Sequence, residues 1–147
     1  MKESAINNAY ATSATSTPSR YGLMTGMYPW RNSDVKILPG DAPLVVSIDA
    51  PTLPKMMQEN GYQTAAIGKW HLGMGDGNVD WNKEITPAAN EVGFDYTCMI
   101  AATNDRVPTV YVEDGEVLGL DPNDPIYVNY NENFPGELHG RKDLDSI

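Results

Sequence analysis

The stretch Thr52-Leu53-Pro54-Lys55-Met56-Met57-Gln58-Glu59-Asn60-Gly61-Tyr62-Gln63-Thr64-Ala65-Ala66-Ile67 decides the fold class. Thr52 is placed to cap a helix whose Leu53, Met56 and Met57 form one apolar stripe, and Gly61 ends it. Tyr62 to Ile67 follows as a short run of small and apolar residues suited to a buried strand. A helix, a glycine and a buried strand make the second half of a crossover unit, so the expectation is an α/β sheet flanked by helices.

Upstream lies Ala14-Thr15-Ser16-Thr17-Pro18-Ser19-Arg20-Tyr21-Gly22-Leu23-Met24-Thr25-Gly26. Thr17 as N-cap, Pro18 at the first helical position and Gly26 past the end predict a helix of about two turns. Ser16 then sits just before a helix N-terminus, where free N–H groups and the dipole favour an anion. Arg20, one turn further on, can return its guanidinium to the same end. Taken alone, this pattern is more often only a cap. Between residues 27 and 51, Pro29, Pro39, Gly40, Pro43 and Pro51 mark mostly loop, with Leu44–Ile48 a short strand.

Downstream, Gly68-Lys69-Trp70-His71-Leu72-Gly73 continues the strand. If its direction persists, Lys69 and His71 share one face and Trp70 points the other way. A cation and an imidazole would then meet at a strand's carboxyl end, where open α/β sheets place ligands. By spacing alone, an exposed lysine and a structural histidine are the better reading. Thr109–Val112 and Val117–Leu118 flank Asp114-Gly115, a strong hairpin signal, so a β-hairpin is expected near 109–118. Beyond Leu120 the chain is rich in Pro, Asn and Asp and reads as surface loop.

Composition narrows the possibilities. The 147 residues suit one domain, and 41% hydrophobic residues suffice for a core. The longest apolar run, Cys98-Met99-Ile100-Ala101-Ala102, has a strand's length and not a membrane helix's. The single cysteine, Cys98, excludes an internal disulfide or a multi-cysteine zinc site and reads as an inert buried thiol. MKESAINNAY holds no apolar segment of the signal-peptide kind. A net charge of −10 disfavours nucleic acid and anionic membranes as partners. The charge is uneven: residues 1–70 are near neutral, whereas 71–147 hold fifteen acids against Lys83, Arg106, Arg141 and Lys142. An anionic substrate is therefore better handled in the first half.

Together, the Ser16 and Lys69 stretches resemble the two signature patterns of the formylglycine-dependent sulfatases, arylsulfatases of the alkaline phosphatase superfamily. The first resembles Cys-or-Ser, x, Pro, Ser, Arg leading to a glycine; the second resembles Gly-Tyr-x-Thr-x-x-apolar-Gly-Lys-Trp-His. The similarity continues through Gly93-Phe94-Asp95 and Ala102-Thr103-Asn104-Asp105-Arg106-Val107-Pro108, in the manner of sulfatases from polysaccharide-degrading bacteria.

The resemblance implies a partial alkaline-phosphatase-like sandwich. It makes Ser16 the residue oxidised to formylglycine by a sulfatase-maturating enzyme, Arg20 its holder, Lys69 the bridge to the substrate sulfate, and His71 a partner of its hydroxyl. It implies a sulfated carbohydrate or aryl sulfate as substrate, and a periplasmic or secreted location for a full-length parent. One hydroxyl of the aldehyde hydrate attacks sulfur and expels the alcohol, leaving a sulfated enzyme. The other then loses its proton and sulfate departs by C–O cleavage. Calcium, with the converted Ser16 among its ligands, lowers the hydrate's pKa and screens the sulfate charge.

The family's paired aspartates and later metal ligands match nothing here, so residues 1–147 are expected to be part of a catalytic domain, inactive alone. Two alternatives stay open: a phosphate ester hydrolase using unmodified Ser16, and a non-catalytic truncated remnant. Gly73–Asn78, which imitates a dinucleotide loop, and Asp76–Asp80, which imitates a calcium loop with Trp81 in the required glycine position, are read as surface loop. His139 matches no position of the pattern.

Overall fold

The computed structural model describes residues 7–132 and 135–136. Its elements are α1 (Ser16–Thr25), a 3-10 turn at Pro29–Arg31, α2 (Leu53–Glu59), β1 (Ala65–Lys69), α3 (Ala89–Val92), β2 (Tyr96–Ile100), β3 (Tyr111–Glu113) and β4 (Glu116–Val117). The strands form one sheet in sequence order, with β1 parallel to β2 and the β2–β3 and β3–β4 pairs antiparallel. Parallel neighbours need a crossover, and residues 70–95, with α3 inside them, supply it. The α/β reading of the helix–glycine–strand stretch therefore holds.

Two aspartates set the register. Asp95 accepts from the Thr64 amide at 2.7 Å, the Thr64 hydroxyl at 3.0 Å and Gln58 at 2.8 Å, tying the start of β1 to the start of β2 and to α2. Asp114 accepts from the Thr97 amide at 2.8 Å and Asn90 at 2.9 Å, joining the hairpin turn to β2 and α3. The expected hairpin is present, with Asp114 and Gly115 both at positive φ and Val112 facing Val117.

The core gathers beside the carboxyl end of β1. Trp70, Leu72 and Met74 follow the strand into the interior and pack with Trp81, Ile85, Ala89, Val92, Met99, Ala101 and Val112. Trp70 donates its indole N–H to the Gly73 carbonyl at 2.7 Å and meets Phe94 edge-on at 6.2 Å. Gly73 is indispensable: at φ 77°, a Cβ there would lie 1.9 Å from the Pro43 carbonyl oxygen.

Several expectations are corrected. α1 begins at Ser16 with Thr15 as N-cap residue, because the Thr17 hydroxyl is committed elsewhere and Pro18 fits anywhere in a first turn whose amides need no helical partner. Leu44–Ile48 is no strand: Leu44 and Val45 bond to the Gly75 and Leu72 carbonyls, but Gly73 and Gly75 at positive φ break any ladder. Tyr62–Ile67 is not a buried strand. β1 starts at Ala65, has only β2 as neighbour among the described residues, and leaves Ile67 76% exposed. The α2 stripe is not buried either, Leu53 and Met56 being exposed and Pro54 turned inward.

The loop reading of Gly73–Asn78 holds, but Gly73, Met74 and Gly75 lie in the interior. Cys98 is half-buried, not buried. The described residues after Leu120 are irregular as expected, with Ile126 and Val128 packed on the core. His139 lies outside the described residues. No helix among the described residues is long and apolar enough to cross a membrane.

Trp70 joins the sheet to the interior, so Trp70→Ala should lower the unfolding free energy by about 3–5 kcal/mol. Denaturant titration should show Trp70→Phe losing clearly less.

Candidate active site

Ser16 opens α1, and its oxygen lies between two side chains. Arg20 Nε donates to Ser16 Oγ at 3.2 Å, the one-turn return that the spacing predicts. His71 Nδ1 lies 2.9 Å from the same oxygen. The backbone completes the junction: Arg20 Nη1 donates to the Lys69 carbonyl at 2.8 Å and the Thr17 hydroxyl to the His71 carbonyl at 2.8 Å. Thr17 is fully buried in doing so.

Ser16, Arg20 and His71 therefore meet through their side chains and Lys69 joins them through its carbonyl, although simple strand alternation is not the cause. β1 ends at Lys69, and His71 takes a left-handed backbone at φ 61°, uncommon for a residue with a side chain. That turn directs the His71 carbonyl to Thr17 and its imidazole to Ser16, while Trp70 points into the core. Ser16 itself lies within the first helical turn and not just before it.

The sequence reading missed two contributors. His71 Nε2 lies 3.0 Å from the Leu38 carbonyl oxygen, to which Arg106 Nη1 also donates. Arg106 Nη1 is 2.9 Å from the same ring nitrogen. Arg106 belongs to a stretch noted only for its resemblance, and a backbone carbonyl such as Leu38's has no sequence signal.

Burial holds the His71 pKa below the usual histidine value; Lys69, Arg106 and Arg20 push the same way, against the Leu38 carbonyl. Lys69 is lowered too, first by burial and then by Arg20 and Arg106, with Asp105 opposing. Burial also lowers Arg20. The site is thus a neutral imidazole and a hydroxyl among three cationic side chains, suited to an anionic group.

Calcium fits the described residues poorly. It takes six to eight oxygen ligands, whereas Ser16 is flanked by nitrogen groups, and no three His, Cys, Asp or Glu side chains converge among the described residues. The loop at Asp76–Asp80 offers no substitute. Asp80 is paired with Lys83 at 2.8 Å, whose contact pushes its pKa down to about 2, and Asp76 caps its own turn at Asn78.

A family model described as Sulfatase matches residues 4–118. The chain belongs to the sulfatase family. It is 59% identical over 126 residues to an N-acetylgalactosamine-6-O-sulfatase of Bacteroides thetaiotaomicron, covering 85% of this chain and 25% of that protein. It is 39% identical over 103 residues to human steryl-sulfatase, covering 65% of this chain and 17% of that one. A solved structure concerned with the metabolism of multiple glycosaminoglycans by Bacteroides thetaiotaomicron superposes with a TM-score of 0.88 at 52% identity, over 95% of this chain and 29% of that one. This sulfatase chain thus spans between 17% and 29% of those relatives' length, and its partial sheet belongs to the alkaline-phosphatase-like architecture.

Because the His71 pKa is lower folded than unfolded, its contribution to stability is complete above about pH 6.5 and is lost as pH falls through the folded value. Thermal melts from pH 7.5 to 5 should decline, and His71→Gln should flatten that part of the slope.

Proposed function

We propose that residues 1–147 form part of the catalytic domain of a sulfuric ester hydrolase, with Ser16 as the formylglycine precursor. The observation that carries the reading is the convergence on the Ser16 oxygen of Arg20 Nε at 3.2 Å and of His71 Nδ1, 55 residues further along the chain, at 2.9 Å. The substrate class is a sulfated carbohydrate, in keeping with the names of the bacterial relatives. A periplasmic or secreted location for the longer protein follows from the same reading.

Each residue has a separate task. Arg20 orients the Ser16 side chain and, through the Lys69 carbonyl, holds the end of β1 against α1. Lys69 binds a sulfate oxygen; among cations and half-buried, its ammonium is less screened than a surface lysine. His71 exchanges a proton with the Ser16 oxygen. Converted Ser16 supplies a hydrate with one hydroxyl to attack sulfur and another whose proton loss releases sulfate. Oxygen ligands for calcium would have to come from further polypeptide, so the 147-residue chain should not turn over substrate alone.

The same Ser16–His71 contact would serve an unmodified serine acting on phosphate esters. Mass spectrometry of the Ser16 peptide decides between them. After co-expression with an anaerobic radical-type maturating enzyme, the peptide should be lighter by two hydrogens, and enzymes that oxidise only cysteine should leave it unchanged. An active longer protein with unmodified Ser16 would refute the reading. In that longer protein Lys69→Ala should lower kcat/KM on the order of 10²–10³-fold, as when an oxyanion donor is lost.

A further inference from the structure

We propose that Arg106 is a positioning residue for the chemistry at Ser16: with the Leu38 carbonyl it holds the His71 imidazole so that Nδ1 presents its lone pair to the Ser16 oxygen. The inference rests on reading Ser16 as the reactive residue.

The Leu38 carbonyl oxygen has two lone pairs. Arg106 Nη1 donates to one, and His71 Nε2 stands 3.0 Å away in position to donate to the other. With the ring proton on Nε2, the Ser16 hydroxyl donates to Nδ1 at 2.9 Å and still accepts from Arg20 Nε at 3.2 Å. Every proton then has an acceptor. The other tautomer lets Nε2 accept from Arg106 Nη1 at 2.9 Å, but it sets the Nε2 lone pair against the carbonyl oxygen at 3.0 Å and leaves the Ser16 proton without an acceptor among the described contacts. With the proton on Nε2, the 2.9 Å between Arg106 Nη1 and Nε2 is the separation of two donors converging on one oxygen.

The loop that bears the carbonyl is fastened to the loop that bears the arginine. Tyr130 accepts from the Gly40 amide at 2.8 Å and donates to the Val107 carbonyl at 2.5 Å. A Cβ at Gly40 would come within 2.1 Å of that same carbonyl oxygen. Residues 38–40 and 106–107 thus move as one piece behind the imidazole, and Arg106 transmits their position to it.

The test is nuclear magnetic resonance of the 15N-labelled chain, with His71 assigned through His139→Gln. In the wild type Nε2 should carry the proton, Nδ1 should be bare, and the ring N–H should exchange slowly with solvent. Arg106→Met should speed that exchange about tenfold, and Arg106→Lys, which can still donate to the Leu38 carbonyl, should restore most of the protection. The amide spectrum reports whether each variant is folded. Equal exchange in wild type and Arg106→Met overturns the proposal. If Arg106→Met does not fold, the wild-type spectrum decides, and a proton on Nδ1 overturns it. None of these readings depends on conversion of Ser16, so failure of the sulfatase reading would be seen separately in the peptide mass.

Discussion

The carbonyl groups of Lys69 and His71, left behind where β1 ends, are what the site depends on. Buried backbone carbonyls must find donors, and here both donors come from the N-terminal half of α1: Arg20 Nη1 and the Thr17 hydroxyl, each at 2.8 Å. These bonds hold the helix start against the strand end. Ser16, preceding Thr17, has its oxygen beside His71 as a result. The left-handed turn at His71 is the conformational cost, on the order of 1–2 kcal/mol, and buried contacts of Trp70, Leu72 and Met74 on either side hold it in place.

Electrostatics follow from that docking. Arg20 and Arg106 both disfavour the charged form of Lys69, and all three cations disfavour protonation of His71. An anion entering among them relieves the repulsion. The same field, with burial, favours the neutral imidazole beside Ser16. The acid-rich second half of the chain contributes little here. Among the described residues, Asp105 is its one carboxylate that acts on Lys69 or His71, and Asp95 and Asp114 are spent on strand register.

Local chemistry was legible in the sequence and long-range closure was not. The Asp114-Gly115 turn and the return of Arg20 to Ser16 are set by positive-φ preference and by helix periodicity. The burial of β1 was misjudged because a strand's apolar residues do not say whether a neighbour covers them, and Ile67 stands open. Thr17 looked like a cap because a hydroxyl before proline usually is one; a carbonyl 54 residues away claimed it instead. Arg106 and the Leu38 carbonyl, 68 residues apart, meet only through tertiary packing.

Chemical modification of His71 tests the docking most directly. Thr17→Val removes the bond to the His71 carbonyl with little change in shape, whereas Thr25→Val removes a bond of the same kind, to the Tyr21 carbonyl, at the far end of α1. Acylation of His71 by diethyl pyrocarbonate, followed by peptide mass, should speed up clearly in Thr17→Val and remain at the wild-type rate in Thr25→Val. Equal rates in both variants and the wild type would contradict the claim that the first turn of α1 holds His71 against Ser16.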